Sequence, residues 1–123
     1  MKELIEGIHE TAVEKGFWDF LLELDGMLRN KELTVPEYKE LAFIFYGKQL
    51  MMLSSEVSEV MEAIRKEKGS DEIEAEFADI FIRMADLYQG LFDRGLILRP
   101  LEEAIELKTG VNEKRVRMHG VLG

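Results

Sequence analysis

Cysteine is absent from the 123 residues of this chain. That excludes a disulfide framework and any zinc–thiolate centre, and it fits a reducing cytoplasm. Proline is nearly absent as well: Pro36 and Pro100 are the two that occur, so little interrupts long helices. No apolar run approaches the roughly 20 residues that cross a bilayer. Residues 1–14 alternate charge with apolar side chains and lack the continuous apolar core of a signal peptide. Positive charge is in deficit, with 16 Lys and Arg against 25 Asp and Glu and a formal net charge of −9. That balance excludes a general binder of nucleic acid or anionic membrane, since both need a positive surface. A phosphorylated small molecule is still admissible, because a bound cation inverts the local field. Also missing are a Walker-type glycine loop and any Ser/His/Asp or Cys/His set. Neither His9 nor His119 completes the Glu-x-x-His pairs of a ferritin-like di-iron bundle.

What is present is helical. Hydrophobic residues make up 46% of the chain, enough for a core, and the length predicts a single domain over 1–123. No stretch shows the period-2, β-branched alternation of strands. The spacing predicts an all-α, antiparallel bundle of about four main helices, over about 2–15, 35–67 (with Gly47 as its place to bend), 71–91 and 100–116. Both prolines sit where helices begin, and Thr34-Val35-Pro36-Glu37 matches a capping box. Gly69 suits a C-cap and Ser70 an N-cap. Residues 17–33 are the hardest to assign: Phe17 to Leu22 suits a short helix, and Asp25-Gly26 reads as a turn.

Two acidic clusters lie on the second and third of these helices: Ser55-Glu56-Val57-Ser58-Glu59, followed by Glu62, and Glu76-Phe77-Ala78-Asp79. Each holds two carboxylates at i and i+3, which are neighbours on one helix face. Two such helices can aim four carboxylates at one point, where repulsion and desolvation call for a hard cation such as Mg²⁺. Projected at about 100° per residue, Phe45, Met52, Leu53, Val57, Val60 and Ile64 form an apolar arc. Glu56 falls inside that arc and Glu59 at its edge. On the third helix Ile73, Phe77, Ile80, Met84, Leu87 and Leu91 make the stripe, flanked by Glu72, Glu76, Asp79, Arg83 and Asp86. Glu62, Glu72 and Glu74 read as solvated charges. Glu56 does not, and for it a metal and a salt bridge to Arg83 weigh equally.

On the fourth helix Lys108, Asn112 and Arg115 share a face at i, i+4 and i+7. Such a stripe can grip phosphate oxygens, although a basic C-terminal turn is also favoured by the helix dipole alone. His119 extends the stripe if the helix persists, and Lys48, about two turns before Glu56, is a further phosphate candidate. Phe17 and Trp18 offer a stacking platform for a base, while core packing is the commoner fate of a lone Trp. His9 reads as a surface or core-edge residue.

Together these residues resemble the all-α nucleoside triphosphate pyrophosphohydrolases of the MazG-like type. The family's Glu-x-x-Glu is matched by Glu56 and Glu59, its Glu-x-x-Asp by Glu76 and Asp79, and its Lys…Asn…Arg by Lys108, Asn112 and Arg115. Ser55 stands where many members carry an acid. The likeness runs from about Gly47 to His119, and Gly16-Phe17-Trp18-Asp19 is similar to a segment some members carry. It implies hydrolysis of a nucleoside triphosphate between the α- and β-phosphates, releasing a monophosphate and pyrophosphate. It implies dependence on Mg²⁺, with Mn²⁺ as a substitute, held by Glu56, Glu59, Glu76 and Asp79, and one of the two helix-two glutamates (Glu56, Glu59) acting on the attacking water. It further implies a bundle completed by a homodimer or homotetramer. The alternatives are a phosphoribosyl-nucleotide pyrophosphohydrolase on the same fold and a non-catalytic helical interaction module.

Overall fold

A computed structural model describes the backbone of residues 1–122 and the side chains of residues 1–115. Its elements are α1 (Lys2–Glu14), α2 (Asp19–Arg29), α3 (Val35–Arg65), α4 (Ser70–Asp93) and α5 (Leu101–Leu122), with no strand among the described residues. The expected all-α class is observed, with one more helix than the four main ones. The extra helix is α2, which runs straight through Asp25-Gly26 where a turn is expected. Leu21 and Leu24 are both buried, and burying that stripe outweighs the roughly 1 kcal/mol that a helical Gly costs. Asp25 is also occupied elsewhere: its carboxylate accepts from Tyr38 Oη at 2.6 Å and from Arg94 Nη2 at 2.7 Å.

Local chemistry sets the helix ends. At the start of α3 the capping box is complete: Glu37 N–H donates to Thr34 Oγ1 at 3.2 Å and Thr34 N–H to Glu37 Oε1 at 2.9 Å. The first four helices all end with a left-handed residue and a doubled backbone closure. Gly16 and Gly95 supply the positive φ after α1 and α4, whereas Lys31 and Glu67 supply it after α2 and α3. The left-handed residue that closes α3 is thus Glu67, two positions before the expected Gly69, and the C-cap is Lys66. Lys68 N–H reaches Ala63 O at 3.0 Å. Gly69 becomes the N-cap of α4, whose first residue is Ser70.

Two clusters make the core, and both lie towards one end of the molecule. Ala12, Trp18, Leu21, Leu24, Ala42, Phe45 and Leu87 join α1, α2, the first part of α3 and the last part of α4. Ile5, Ala85 and Leu101 join α1, α4 and the start of α5. The apolar arcs expected on α3 and α4 divide accordingly. Phe45 and Val60 are buried, but Val57, Ile64 and Phe77 are each more than half exposed, because no other helix covers them among the described residues. α3 itself is continuous through Gly47.

Trp18 lies so close to α4 that a Cβ on Gly90 would stand 2.0 Å from Trp18 Cη2, whereas one on Gly7 would meet nothing within 4 Å. Gly90→Ala is expected to destabilise the fold by at least about 1–3 kcal/mol through overpacking. Gly7→Ala is expected to stabilise it by about 0.5–1 kcal/mol through helix propensity. Urea denaturation of the two variants checks both signs.

Candidate metal centre

α3 and α4 are linked by residues 66–69 and run antiparallel, so Glu56 meets Arg83 while Glu59 lies beside Glu76. One carboxylate oxygen from each of Glu56, Glu76 and Asp79 lies within 4.8 Å of the other two. Glu56 and Glu76 are half-buried and Asp79 is exposed. Arg83 Nε donates to Glu56 Oε1 at 2.7 Å, and the Glu56 side chain is 14% exposed. Of the two alternatives for Glu56, the salt bridge therefore forms, and it forms inside a carboxylate cluster. No ion pair to Glu59, Glu76 or Asp79 accompanies it among the described residues.

Two features bear on whether a cation fits. Glu76 Oε2 is buried and has no hydrogen-bond partner. A buried acceptor left unmade costs about 1–3 kcal/mol, more if charged, and a cation would satisfy it. The donors are also all carboxylate oxygens, the ligand type that Mg²⁺ takes. Glu59 is exposed and is not one of the three clustered residues, yet its carboxyl pKa is raised. The charge of Glu56 is the largest cause, followed by hydrogen bonding to Glu76 and Glu56. Protonated, Glu59 carries a proton that a neighbouring carboxylate can accept; ionised, it can only repel them.

No family model, no curated protein and no solved structure matches this chain. What the site can do therefore follows from its side chains.

The other expected site residues make no hydrogen bond or ion pair with the cluster among the described residues. Lys108, Asn112 and Arg115 are exposed on α5, a helix anchored to the core through Leu101 at its start. No hydrogen bond or ion pair among the described residues brings them to the carboxylates. His119 lies outside the described side chains. Lys48 is exposed on α3, and Phe17 is 61% exposed. Trp18 is 3% exposed. Its ring packs edge-on against His9 and tilted against Phe45, so core packing prevails over a base platform. Glu62 pairs with Arg65 and Lys66 along its own helix, as a solvated face does.

Two polar networks leave no trace in the residue spacing. Asp86 Oδ1 contacts His9 Nδ1 at 2.7 Å and accepts from Trp18 Nε1 at 2.9 Å. Asp25, Tyr38 and Arg94 tie α2, α3 and α4. Burial works to raise the Asp25 pKa, but the bonds from Arg94 and Tyr38 outweigh it and hold the carboxyl below its usual value. Asp86 does fall on the expected acidic side of α4, seven residues after Asp79, but helical periodicity says nothing about partners on distant helices.

The raised pKa of Glu59 fixes a sign. Its stabilising contribution is complete below the ordinary carboxyl value of 4.5 and is lost as pH rises through the raised folded value. In chelator at pH 7, Glu59→Gln is expected to melt higher than the wild type. The gap should close as pH is lowered past Glu59's folded value towards 4.5, as thermal melts across that range will report.

Proposed function

We propose that this chain is a Mg²⁺-dependent nucleotide pyrophosphohydrolase that cleaves a nucleoside triphosphate between its α- and β-phosphates. The observation that carries the proposal is the convergence of Glu56, Glu76 and Asp79, with one oxygen of Glu76 buried and unpartnered. The order of acidic pairs and the downstream Lys108, Asn112 and Arg115, which resemble the MazG-like pattern, support it.

Glu56, Glu59, Glu76 and Asp79 would hold the cation, which when bound supplies Lewis-acid polarisation of a phosphate oxygen. The chain's own part is placement. α3 and α4 fix the carboxylates before substrate arrives, so the repulsion among them is borne by the fold. One of the two α3 glutamates, Glu56 or Glu59, would take a proton from the attacking water. Lys48, Lys108, Asn112 and Arg115 would neutralise and orient the phosphates.

Assembly is part of the proposal. On α3 the exposed Phe43, Leu50, Val57, Met61 and Ile64 follow one line, with Gly47 and Ser54 filling its alternating three- and four-residue steps. That is the seam of a helix pair. The accessible surface of 9232 Å² also exceeds the roughly 6,800 Å² of a compact monomer of this 14.2 kDa mass. A second copy on this seam would complete the bundle. A second reading, a non-catalytic helical interaction module, draws on the Glu56–Arg83 ion pair as a purely structural contact.

The test is pyrophosphate release from a panel of canonical and modified nucleotides with Mg²⁺. Glu56→Gln and Asp79→Asn are expected to abolish it with helix content intact; full activity in both, or no turnover and no Mg²⁺-dependent stabilisation in the wild type, favours the interaction module. Lys108→Ala and Arg115→Ala should change stability by no more than about ±0.5 kcal/mol while activity falls sharply. Light scattering should give at least a dimer at micromolar concentration, and Met61→Glu should shift it towards monomer.

A further inference from the structure

Arg83 is, among the described residues, the one basic side chain in contact with any of the four carboxylates. It sits on α4 four residues after Asp79, so the helix that contributes Glu76 and Asp79 also carries the guanidinium to the edge of the cluster. It grips Glu56 from across the hairpin by one N–H, from Nε to Oε1 at 2.7 Å. One oxygen of that same Glu56 lies within 4.8 Å of oxygens from Glu76 and Asp79. Resting on the metal reading above, we propose that Arg83 is the positioning residue of the centre: it holds the Glu56 carboxylate in the cluster, against the repulsion of its neighbours, so that a divalent cation finds its ligands already gathered.

Two effects of opposite sign meet here. A guanidinium beside the site repels a cation, and it also orders one of that cation's ligands. The ordering dominates for two reasons. Four carboxylates against one guanidinium leave the site strongly negative even with Arg83 in place. The Arg83 side chain is 38% exposed, so water screens its repulsion, whereas Glu56 is 14% exposed and has little water to replace a lost partner. Without Arg83, Glu56 would be a repelled, poorly solvated carboxylate, and turning outwards would relieve it. Groups that hydrogen-bond a metal-ligating carboxylate change metal affinity by roughly 10–100-fold when removed.

The experiment is calorimetric titration of Mg²⁺ alone, without nucleotide, into the wild type, Arg83→Met and Arg83→Lys, with circular dichroism to confirm the fold. Arg83→Met is expected to bind Mg²⁺ about 10–100-fold more weakly. Arg83→Lys is expected to recover most of the loss, because the contact is made by a single N–H and an ammonium can supply it. Should Arg83→Met not fold, Arg83→Ser carries the same comparison. Equal or tighter Mg²⁺ binding by the neutral variant overturns the proposal and makes Arg83 a competitor of the cation. A Lys variant as weak as the neutral one also overturns it. A wild type that takes up no Mg²⁺ removes the metal reading, and the positioning role falls with it; a wild type that binds while Arg83→Met binds equally well removes the positioning role alone.

Discussion

The seat of Trp18 on Gly90 is the contact on which the arrangement of helices depends. An indole can lie flush on α4 only where that helix has no Cβ, and Gly90 gives that gap. The ring's N–H then needs an acceptor inside the protein, and Asp86, one turn earlier on α4, provides it while also holding His9 of α1. One aromatic residue at the start of α2 thereby fixes α1 and α2 against α4, and through Phe45 it reaches α3. The hairpin of α3 and α4 is oriented by this packing, and the carboxylates are carried at a distance from it.

That separation explains why the candidate centre can be so unfavourable electrostatically without endangering the fold. Burial that stabilises the chain is concentrated where α1 and α2 cover the hairpin. Around Glu56, Glu59, Glu76 and Asp79, the nearby buried side chains on α3 are Val60 and Ala63. A half-exposed cluster of like charges costs far less than an enclosed one, because water still screens it. The neighbouring apolar side chains of Val57, Met61, Ile64 and Phe77, left bare by the rest of the chain, have surface to offer another helix.

Much of this was legible in the sequence. The all-α class, the capping box at Thr34 and the interleaving of Glu56 with apolar positions follow from helical periodicity and local hydrogen bonding. Glu76 and Asp79 were found for the same reason, since i, i+3 spacing is itself a distance. What periodicity could not give was the partner across the hairpin. Arg83 was one of two candidates for Glu56, and no pattern within a helix decides which residue it faces on another. The Asp25-Gly26 pair misleads because turn chemistry is a local preference, and here the burial of Leu21 and Leu24 with the Arg94 and Tyr38 contacts overrides it. Trp18 was ambiguous for a similar reason: its surroundings come from Gly90, 72 positions later in the chain. Lys108, Asn112 and Arg115 share a face as their spacing requires, but sharing a face does not bring them to another helix.

The lopsided core also has a dynamic consequence. Segments held by few buried contacts open at lower free energy than the body of a domain. In this chain the end of α3 and the start of α4 are such a segment, closed by a turn in which Glu67 adopts the left-handed conformation at φ 55°. That distribution of burial implies stability graded along the hairpin, from a firm base at Trp18 to a less firmly held tip. A ligand that bridges the two helices near that tip acts as a clasp. Its binding energy goes partly into suppressing the opening of the last turns, so occupancy at the carboxylates would be felt as order in the backbone beyond them.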